Sequence, residues 1–256
     1  MYRPHLNLQE INMTNTYTIA ERNIAVTSLH DEVHRLCADY LSPGAAPDFA
    51  VETTKADIDF ERDRSAREDE TGGGPARQFT DGYLETLAVC RKVAEKAPDY
   101  DAVLFHGSCV AVDGVGYLFA AKSGTGKSTH TRLWRELFGN RCVTVNDDKP
   151  LIRISDSGAT AYGTPWNGKH RLSTNIAVPL KAICFLERAE KNAIRPVAKG
   201  EAYPMLLRQA YRPMDSMAMS KTLTLIDRLT ECVSLWRLDC NTDIEAARVA
   251  CEAMKG

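Results

Sequence analysis

A glycine-rich segment at residues 121–129 contains the residue types that proteins use to bind phosphate. The segment reads Ala-Lys-Ser-Gly-Thr-Gly-Lys-Ser-Thr. Gly124 and Gly126 let the backbone turn tightly with its N–H groups pointing inward, and a helix that starts here adds the positive end of its dipole. Lys127 would reach the terminal phosphates of a nucleotide, and Ser128 would ligate Mg²⁺. The predicted nucleotide-binding residues are Ser123, Gly124, Thr125, Gly126, Lys127, Ser128 and Thr129.

The first position of this segment departs from the usual phosphate loop. The pattern G-x-x-x-x-G-K-[ST] begins with glycine, whereas this chain has Ala121. Alanine fits at little cost if the residue keeps a negative φ. A glycine turn followed by a chance Lys-Ser pair is the alternative interpretation.

Asp147 and Asp148 supply the carboxylates that phosphoryl transfer would need after a nucleotide is bound. They follow a predicted strand at 142–145. Adjacent side chains of a strand point to opposite faces, so both can serve one site only where the chain leaves strand geometry, as Asn146 and Pro150 suggest. One carboxylate would hold Mg²⁺ with Ser128, and the other would accept a proton from an attacking hydroxyl. An Asp-Asp turn at a strand end, without chemistry, stays open.

The elements around these residues predict an α/β fold with a mixed, partly antiparallel sheet. Strands are expected at 102–105, 109–112 and 115–119, and Asp113-Gly114 is a two-residue turn that favours an antiparallel hairpin. In the ordinary parallel phosphate-loop fold a crossover helix precedes the corresponding strand, but here the hairpin does. Apolar spacing predicts a helix over 127–138, and buried strands at 151–154 and 181–186.

The N-terminal part is expected to form a small α/β subdomain at 16–100, after a flexible arm at 1–15 and before the catalytic core at 101–256. Strands are predicted at 17–19, 24–26, 49–51 and 58–60, and helices at 30–41 and from Thr80. Residues 61–76 are dense in charge and end in Gly-Gly-Gly-Pro, which predicts a loop.

Charge and composition exclude several classes of partner. Lys and Arg total 32 against 34 Asp and Glu, so no basic surplus indicates a nucleic-acid partner. The eight cysteines lack a C-x-x-C pair and fit buried thiols, and no apolar run is long enough to span a bilayer. We therefore expect a cytoplasmic protein without a nucleic-acid or membrane partner; a homo-oligomer stays open.

The order His106-Gly107, hairpin, Ser-Gly-Thr-Gly-Lys-Ser, helix, strand and Asp pair resembles the catalytic domain of HPr kinase/phosphorylase, which is itself similar to the core of phosphoenolpyruvate carboxykinase. The match covers residues 101–154 well and the remainder loosely. With Gly-Thr-Pro-Trp-Asn-Gly-Lys at 163–169 and the Leu-Asp-Cys-Asn start of the last helix at 238–241, the chain is more similar to the HPr-kinase-like ATP-binding proteins of bacteria. Some of these phosphorylate serine in peptides.

This resemblance implies roles for particular residues. It implies that His106 lies near the phosphates, that Asp147 is the general base and that Asp148 helps to bind the metal. We expect catalytic roles for Asp147, His106 and Lys127. A strand-end histidine bonded to backbone is the alternative for His106. The HPr kinase signature that follows the Asp pair is not found, so the resemblance does not extend to HPr as the acceptor.

The loop at 164–171 lies where that signature would be. Trp166 could stack on a base or a substrate, and Lys169 or Arg171 could neutralise charge on the phosphoryl group. Equally, the loop could be a Pro-Trp turn at the sheet edge with solvated cations.

The expected function is ATP-dependent transfer of a phosphoryl group to a serine-type hydroxyl of a peptide, protein or small molecule, with Mg²⁺. Two alternatives are a nucleotide-binding regulatory module without turnover and an enzyme similar to phosphoenolpyruvate carboxykinase.

Overall fold

The computed structural model describes residues 12–72, 77–122 and 124–255. The chain divides between Lys92 and Val93 into two compact units. The boundary lies inside a helix, whereas the sequence predicted it between residues 100 and 101. Residues 1–11 of the predicted arm and the Gly-Gly-Pro-Ala run at 73–76 lie outside the described residues. Residues 13–15 of that arm belong to the first strand.

The N-terminal unit contains a three-stranded sheet in the order β1-β2-β3. Its strands are β1 (Met13–Ile19), β2 (Arg22–Ser28) and β3 (Phe49–Glu52). β1 and β2 form an antiparallel hairpin and β3 lies parallel to β2. The helices are α1 (Asp31–Leu36), α2 (Lys55–Gly72) and α3 (Asp81–Lys96), of which α3 continues past the boundary. The predicted strands at 17–19, 24–26 and 49–51 are confirmed.

The strand predicted at 58–60 is wrong, and so is the loop predicted after it. Both ranges lie in α2, up to Gly72. The apolar–polar–apolar order of residues 58–60 imitates a strand, but Ile58 is buried while Phe60 is exposed, because residues two apart lie on opposite sides of a helix. The charged residues instead form ion pairs along the helix, such as Lys55 with Asp59 and Arg64 with Glu68. Such pairs at i,i+4 stabilise a helix that has little apolar surface.

The C-terminal unit contains a nine-stranded mixed sheet. Seven strands follow the order β4-β8-β9-β10-β6-β5-β7, and β12 pairs with both β10 and β11. β10 is parallel to β6 and to β12, and the other pairs are antiparallel. The strands are β4 (Ala102–Leu104), β5 (Ser108–Val112), β6 (Val115–Ala120), β7 (Cys142–Asn146), β8 (Leu151–Ser155), β9 (Gly158–Tyr162), β10 (Ala177–Arg188), β11 (Ala193–Pro196) and β12 (Ser234–Cys240). The predicted α/β fold with a mixed sheet is confirmed.

Two layers of helices cover the two faces of this sheet. They are α4 (Lys127–Phe138) and α7 (Ile244–Lys255) in one layer, and α5 (Lys199–Gln209) and α6 (Ser216–Cys232) in the other. Alternate residues of β6 show why: Tyr117 and Phe119 pack with Trp134 of α4, whereas Leu118 and Ala120 pack with the cluster that includes Leu206 of α5. Period-two alternation thus buries β6 on both faces.

In the described parts of the chain, no helix has the length and apolar character that crossing a membrane requires.

Candidate active site

The described residues that the sequence predicted for the site lie along one edge of the large sheet, where several strands begin or end. Because β6, β10 and β12 are parallel, their carboxyl ends lie at this edge. β5 is antiparallel to β6 and pairs Ser108 with Phe119, so β5 begins there. β7 is antiparallel to β5 and pairs Asn146 with Cys109, so β7 ends there. The strand order therefore brings the glycine-rich segment, His106 and the Asp pair to one place.

The segment after β6 has the backbone that its glycines permit. Gly124 has φ 79° and Gly126 has φ 123°, values that side chains with a Cβ rarely adopt. No neighbour lies within 4 Å of a Cβ built at either position, so conformation, and not space, requires glycine. Ala121 is buried and has no positive φ, as an alanine in the first position requires. Ser123 lies outside the described residues.

The helix α4 begins at Lys127, as predicted, with Gly126 as its N-cap. Ser128 is exposed, whereas Thr125 and Thr129 are partly buried. The Ser128 carbonyl accepts the Thr131 hydroxyl at 3.3 Å, but among the described residues no side-chain hydrogen bond uses the hydroxyl of Ser128. Its hydroxyl is therefore placed where the first turn of the helix is open to solvent.

Lys127, His106 and Asp148 converge although they are far apart in the sequence. The Nζ atom of Lys127 lies 3.2 Å from Nε2 of His106 and donates to the Ala121 carbonyl at 3.2 Å. The same Nε2 atom lies 3.4 Å from Oδ1 of Asp148. Oδ2 of Asp148 is paired with Nζ of Lys149 at 3.2 Å. The cluster combines two ammonium groups, one imidazole and one carboxylate.

Burial sets the protonation of the basic groups in this cluster. The pKa of His106 is lowered to about 4, mainly by burial and also by the nearby Lys127 ammonium, while Asp148 opposes the change. His106 is therefore neutral at pH 7, and its Nε2 atom can accept a hydrogen bond from the Lys127 ammonium. Burial also lowers the pKa of Lys127, against the opposing effect of Asp148. The backbone N–H of His106 bonds the Gln209 carbonyl, but the ring faces Lys127 and Asp148.

Asp147 has different surroundings from Asp148. It is buried, and its Oδ1 atom accepts the backbone N–H of Gly168 at 2.6 Å. Burial raises the pKa of Asp147, the backbone N–H groups of Gly168 and Leu172 lower it, and the neighbouring Asp148 raises it again; the net direction is upward. Within the described ranges, no cation forms an ion pair with Asp147. A buried carboxylate with a raised pKa is a stronger base than an exposed one.

The loop at 163–171 is held against Asp147. A Cβ at Gly168 would lie 3.2 to 3.3 Å from the Asp147 carboxylate, so this close approach favours glycine. Trp166 is buried, which favours the Pro-Trp turn over a stacking ring. Lys169 and Arg171 are exposed, and Arg171 has φ 53°. The loop therefore contacts Asp147 through its backbone, and its two cations lie in solvent.

Two further residues of the site were not assigned a role from the sequence. Asn146 binds both the turn that carries the Asp pair and the loop at 164–166. Arg188, the last residue of β10, donates to the carbonyls of Thr125 at 3.0 Å and Gly124 at 2.5 Å. The only local signal for Arg188 is an arginine at the end of a buried strand. A cavity of about 580 Å³ lies beside this contact, lined in part by Phe185, Arg188 and Arg208.

Among the described residues, no three His, Cys, Asp or Glu side chains form a set that could hold a metal ion by themselves. Mg²⁺ is commonly bound by one or two protein oxygens together with phosphate oxygens and water. The hydroxyl of Ser128 and the carboxylate of Asp148, which is 27% exposed, fit such a partial site.

Comparison with known proteins identifies a family for most of the C-terminal unit. Residues 79–230 match the family described as "ScmC: SynChlorMet cassette protein ScmC". No curated protein matches the chain. A solved structure of the Hpr(Ser) kinase/phosphatase from Coxiella burnetii is similar over 50% of this chain and 97% of that chain, with 13% identity and a TM-score of 0.29.

Proposed function

We propose that this chain, which belongs to the ScmC family, transfers the γ-phosphoryl group of ATP to a serine-type hydroxyl of a peptide, protein or small molecule. The observation that carries this proposal is the convergence of Lys127, His106 and Asp148 beside the glycine-rich turn. A phosphate-binding backbone, a lysine on the terminal phosphates and a carboxylate for Mg²⁺ are the groups that phosphoryl transfer requires.

In the proposed reaction, the acceptor oxygen forms a bond to the γ-phosphorus of ATP. The bond between that phosphorus and the bridging oxygen breaks, and ADP leaves with the electron pair. The hydroxyl proton moves to the Asp147 carboxylate, whose raised pKa suits a proton acceptor. Lys127 stabilises charge on the phosphoryl oxygens, and neutral His106 orients the lysine. Mg²⁺, held by Ser128 and Asp148, would neutralise the phosphate charges.

The test measures ADP and labelled product from γ-labelled ATP with Mg²⁺, using pools of serine-containing peptides, serine-containing proteins and small alcohols. Asp147→Asn should lower transfer by about 10²- to 10⁴-fold, because the proton acceptor is lost. It should retain ATP-dependent thermal stabilisation, because the phosphate-binding residues are unchanged. Lys127→Met should lower both.

Two exposed residues of the same unit provide matched controls. Asp156→Asn and Lys191→Met carry the same chemical changes at exposed positions, and both should retain wild-type transfer. Stabilisation by ATP without ADP formation under any condition would replace the proposal with a regulatory nucleotide-binding module. Transfer by Asp147→Asn at the wild-type rate would remove Asp147 from the mechanism.

A further inference from the structure

The side chain of Asn146 forms a hydrogen-bond network that joins the Asp pair to the loop at 164–166. Asn146 is the last residue of β7 and is fully buried. Its Oδ1 atom accepts the backbone N–H groups of Asp148 at 2.8 Å and Lys149 at 2.6 Å. Its Nδ2 atom faces three acceptors, the carbonyl and the hydroxyl of Thr164 and the carbonyl of Trp166, each at 3.1 Å.

These contacts determine the orientation of the amide. Reversing it would place Oδ1 against three oxygen acceptors and Nδ2 against two N–H donors. Both lone pairs of Oδ1 and both hydrogens of Nδ2 are used, so every polar atom of the group is satisfied. Neither aspartate nor leucine, which have similar shapes, could supply both halves of this pattern.

The two halves of the network act on different carboxylates. The bonds to Oδ1 turn the backbone at Asp148 out of strand geometry, which allows Asp148 to face His106 while Asp147 points to the loop. The bonds from Nδ2 hold residues 164–166, and the same loop continues to Gly168, whose N–H binds Asp147. A single buried side chain thus contacts the supports of both carboxylates.

We propose that Asn146 is a positioning residue that fixes Asp147 and Asp148 relative to each other for phosphoryl transfer. This inference rests on the proposed function. Among the described residues, Asn146 has no hydrogen bond to the glycine turn or to the carboxylate oxygens, and it acts through the backbone of Asp148 and Lys149 and through the loop. Misplacing catalytic groups by about 1 Å can cost about 10²-fold in rate, so its loss should appear in kcat.

Asn146→Ala should lower kcat about 10²-fold, while KM for ATP stays within about threefold because Lys127 and the glycine turn are unchanged. Asn23→Ala is the control, since Asn23 in the N-terminal unit also bonds through both ends of its amide.

A milder pair of variants covers the case in which Asn146→Ala fails to fold. Thr164→Val keeps the shape of the side chain and removes the hydroxyl that bonds Asn146 and the Lys149 carbonyl. It should lower kcat about tenfold, whereas Thr164→Ser, which keeps the hydroxyl, should restore kcat. A general loss of structure caused by changing residue 164 would lower kcat in Thr164→Ser as well, so restoration by serine alone assigns the effect to the hydroxyl.

Amide hydrogen exchange at Gly168 separates this inference from the proposed function. In Asn146→Ala or Thr164→Val the Gly168 amide should exchange at least about tenfold faster, although neither change touches Gly168. A wild-type chain without any transfer activity would overturn the proposed function. The exchange rate at Gly168 would then still show whether Asn146 holds the loop that binds Asp147. A folded Asn146→Ala variant with wild-type kcat and wild-type Gly168 exchange would overturn the inference.

Discussion

Asp57 and Asp147 are both carboxylates with little exposure, but the two units of the chain surround them in opposite ways. Asp57 of the N-terminal unit accepts hydrogen bonds from Arg91 at 3.0 Å and Lys92 at 2.8 Å, as well as from Thr54. Burial raises the pKa of Asp57, but the hydrogen bonds from Lys92, Arg91 and Thr54 prevail and lower it to about 2. Among the described residues, Asp147 of the C-terminal unit accepts hydrogen bonds from backbone N–H groups only, and its pKa is raised.

The buried histidines repeat this difference. In the N-terminal unit, both ring nitrogens of His34 have partners, with Tyr17 at Nδ1 and Ser28 at Nε2. In the C-terminal unit, Nε2 of His130 accepts from Trp134 at 3.1 Å, while its Nδ1 atom has no hydrogen-bond partner among the described residues. Burial lowers the pKa of His130 to about 4. A buried polar group whose hydrogen bonds are all made stabilises the structure, whereas a buried group that lacks a partner can still bind a proton or a ligand.

The largest expected difference is in activity. Asp148→Asn should lower phosphoryl transfer by at least about 10²-fold, because it removes the carboxylate proposed for Mg²⁺ and the charge beside Lys127. Asp57→Asn should leave transfer at the wild-type rate, because its partners are structural. Initial rates with labelled ATP measure both. Equal losses in the two variants would break the contrast between the carboxylates.

The next effect concerns the pH dependence of stability. The folded pKa of His130, about 4, lies below its ordinary value of 6.5, so the unfolded chain binds the extra proton between these values. The contribution of His130 is therefore present above pH 6.5 and lost as the pH falls toward 4, by about 2–3 kcal/mol in the free energy of unfolding.

His130→Leu should remove this part of the pH dependence. Urea unfolding between pH 7 and pH 4.5 gives the free energy of unfolding for both proteins, and the variant should lose less of it on acidification. Parallel curves for the two proteins would show that burial does not disfavour the charged form of His130.

A smaller effect is expected at Asp57. Its folded pKa, about 2, lies below the ordinary value of 3.8, so its stabilisation is present above pH 3.8 and lost as the pH falls toward 2. Asp57→Asn should lower the free energy of unfolding at pH 7 by about 1–2 kcal/mol, a value reduced for solvent screening of the partly exposed Lys92. The two proteins should become equally stable near pH 2 in acid unfolding. A constant difference at all pH values would mean that packing, and not charge, explains the loss.

Much of the C-terminal unit follows from local patterns. The Asp113-Gly114 turn adopts φ 51° and 81° and joins β5 to β6, as the sequence predicted. The helix bounds at 127 and 138 also agree, because its glycine cap and apolar spacing are local properties. The prediction failed at 58–60, where Arg91, some thirty residues away, binds both Asp57 and Glu61 and helps to hold α2.

The sequence by itself determined the glycine turn before α4, the hairpin that precedes it and the strand that ends at the Asp pair, since each depends on neighbours a few residues away. Only the tertiary structure decided that His106 and Asp148 meet at Lys127, that Asp147 turns instead to Gly168, and that Asn146 links them. Those contacts depend on strand order. β5 lies between β6 and β7. No local pattern along a chain encodes which strands become neighbours or which buried polar groups lack a hydrogen-bond partner.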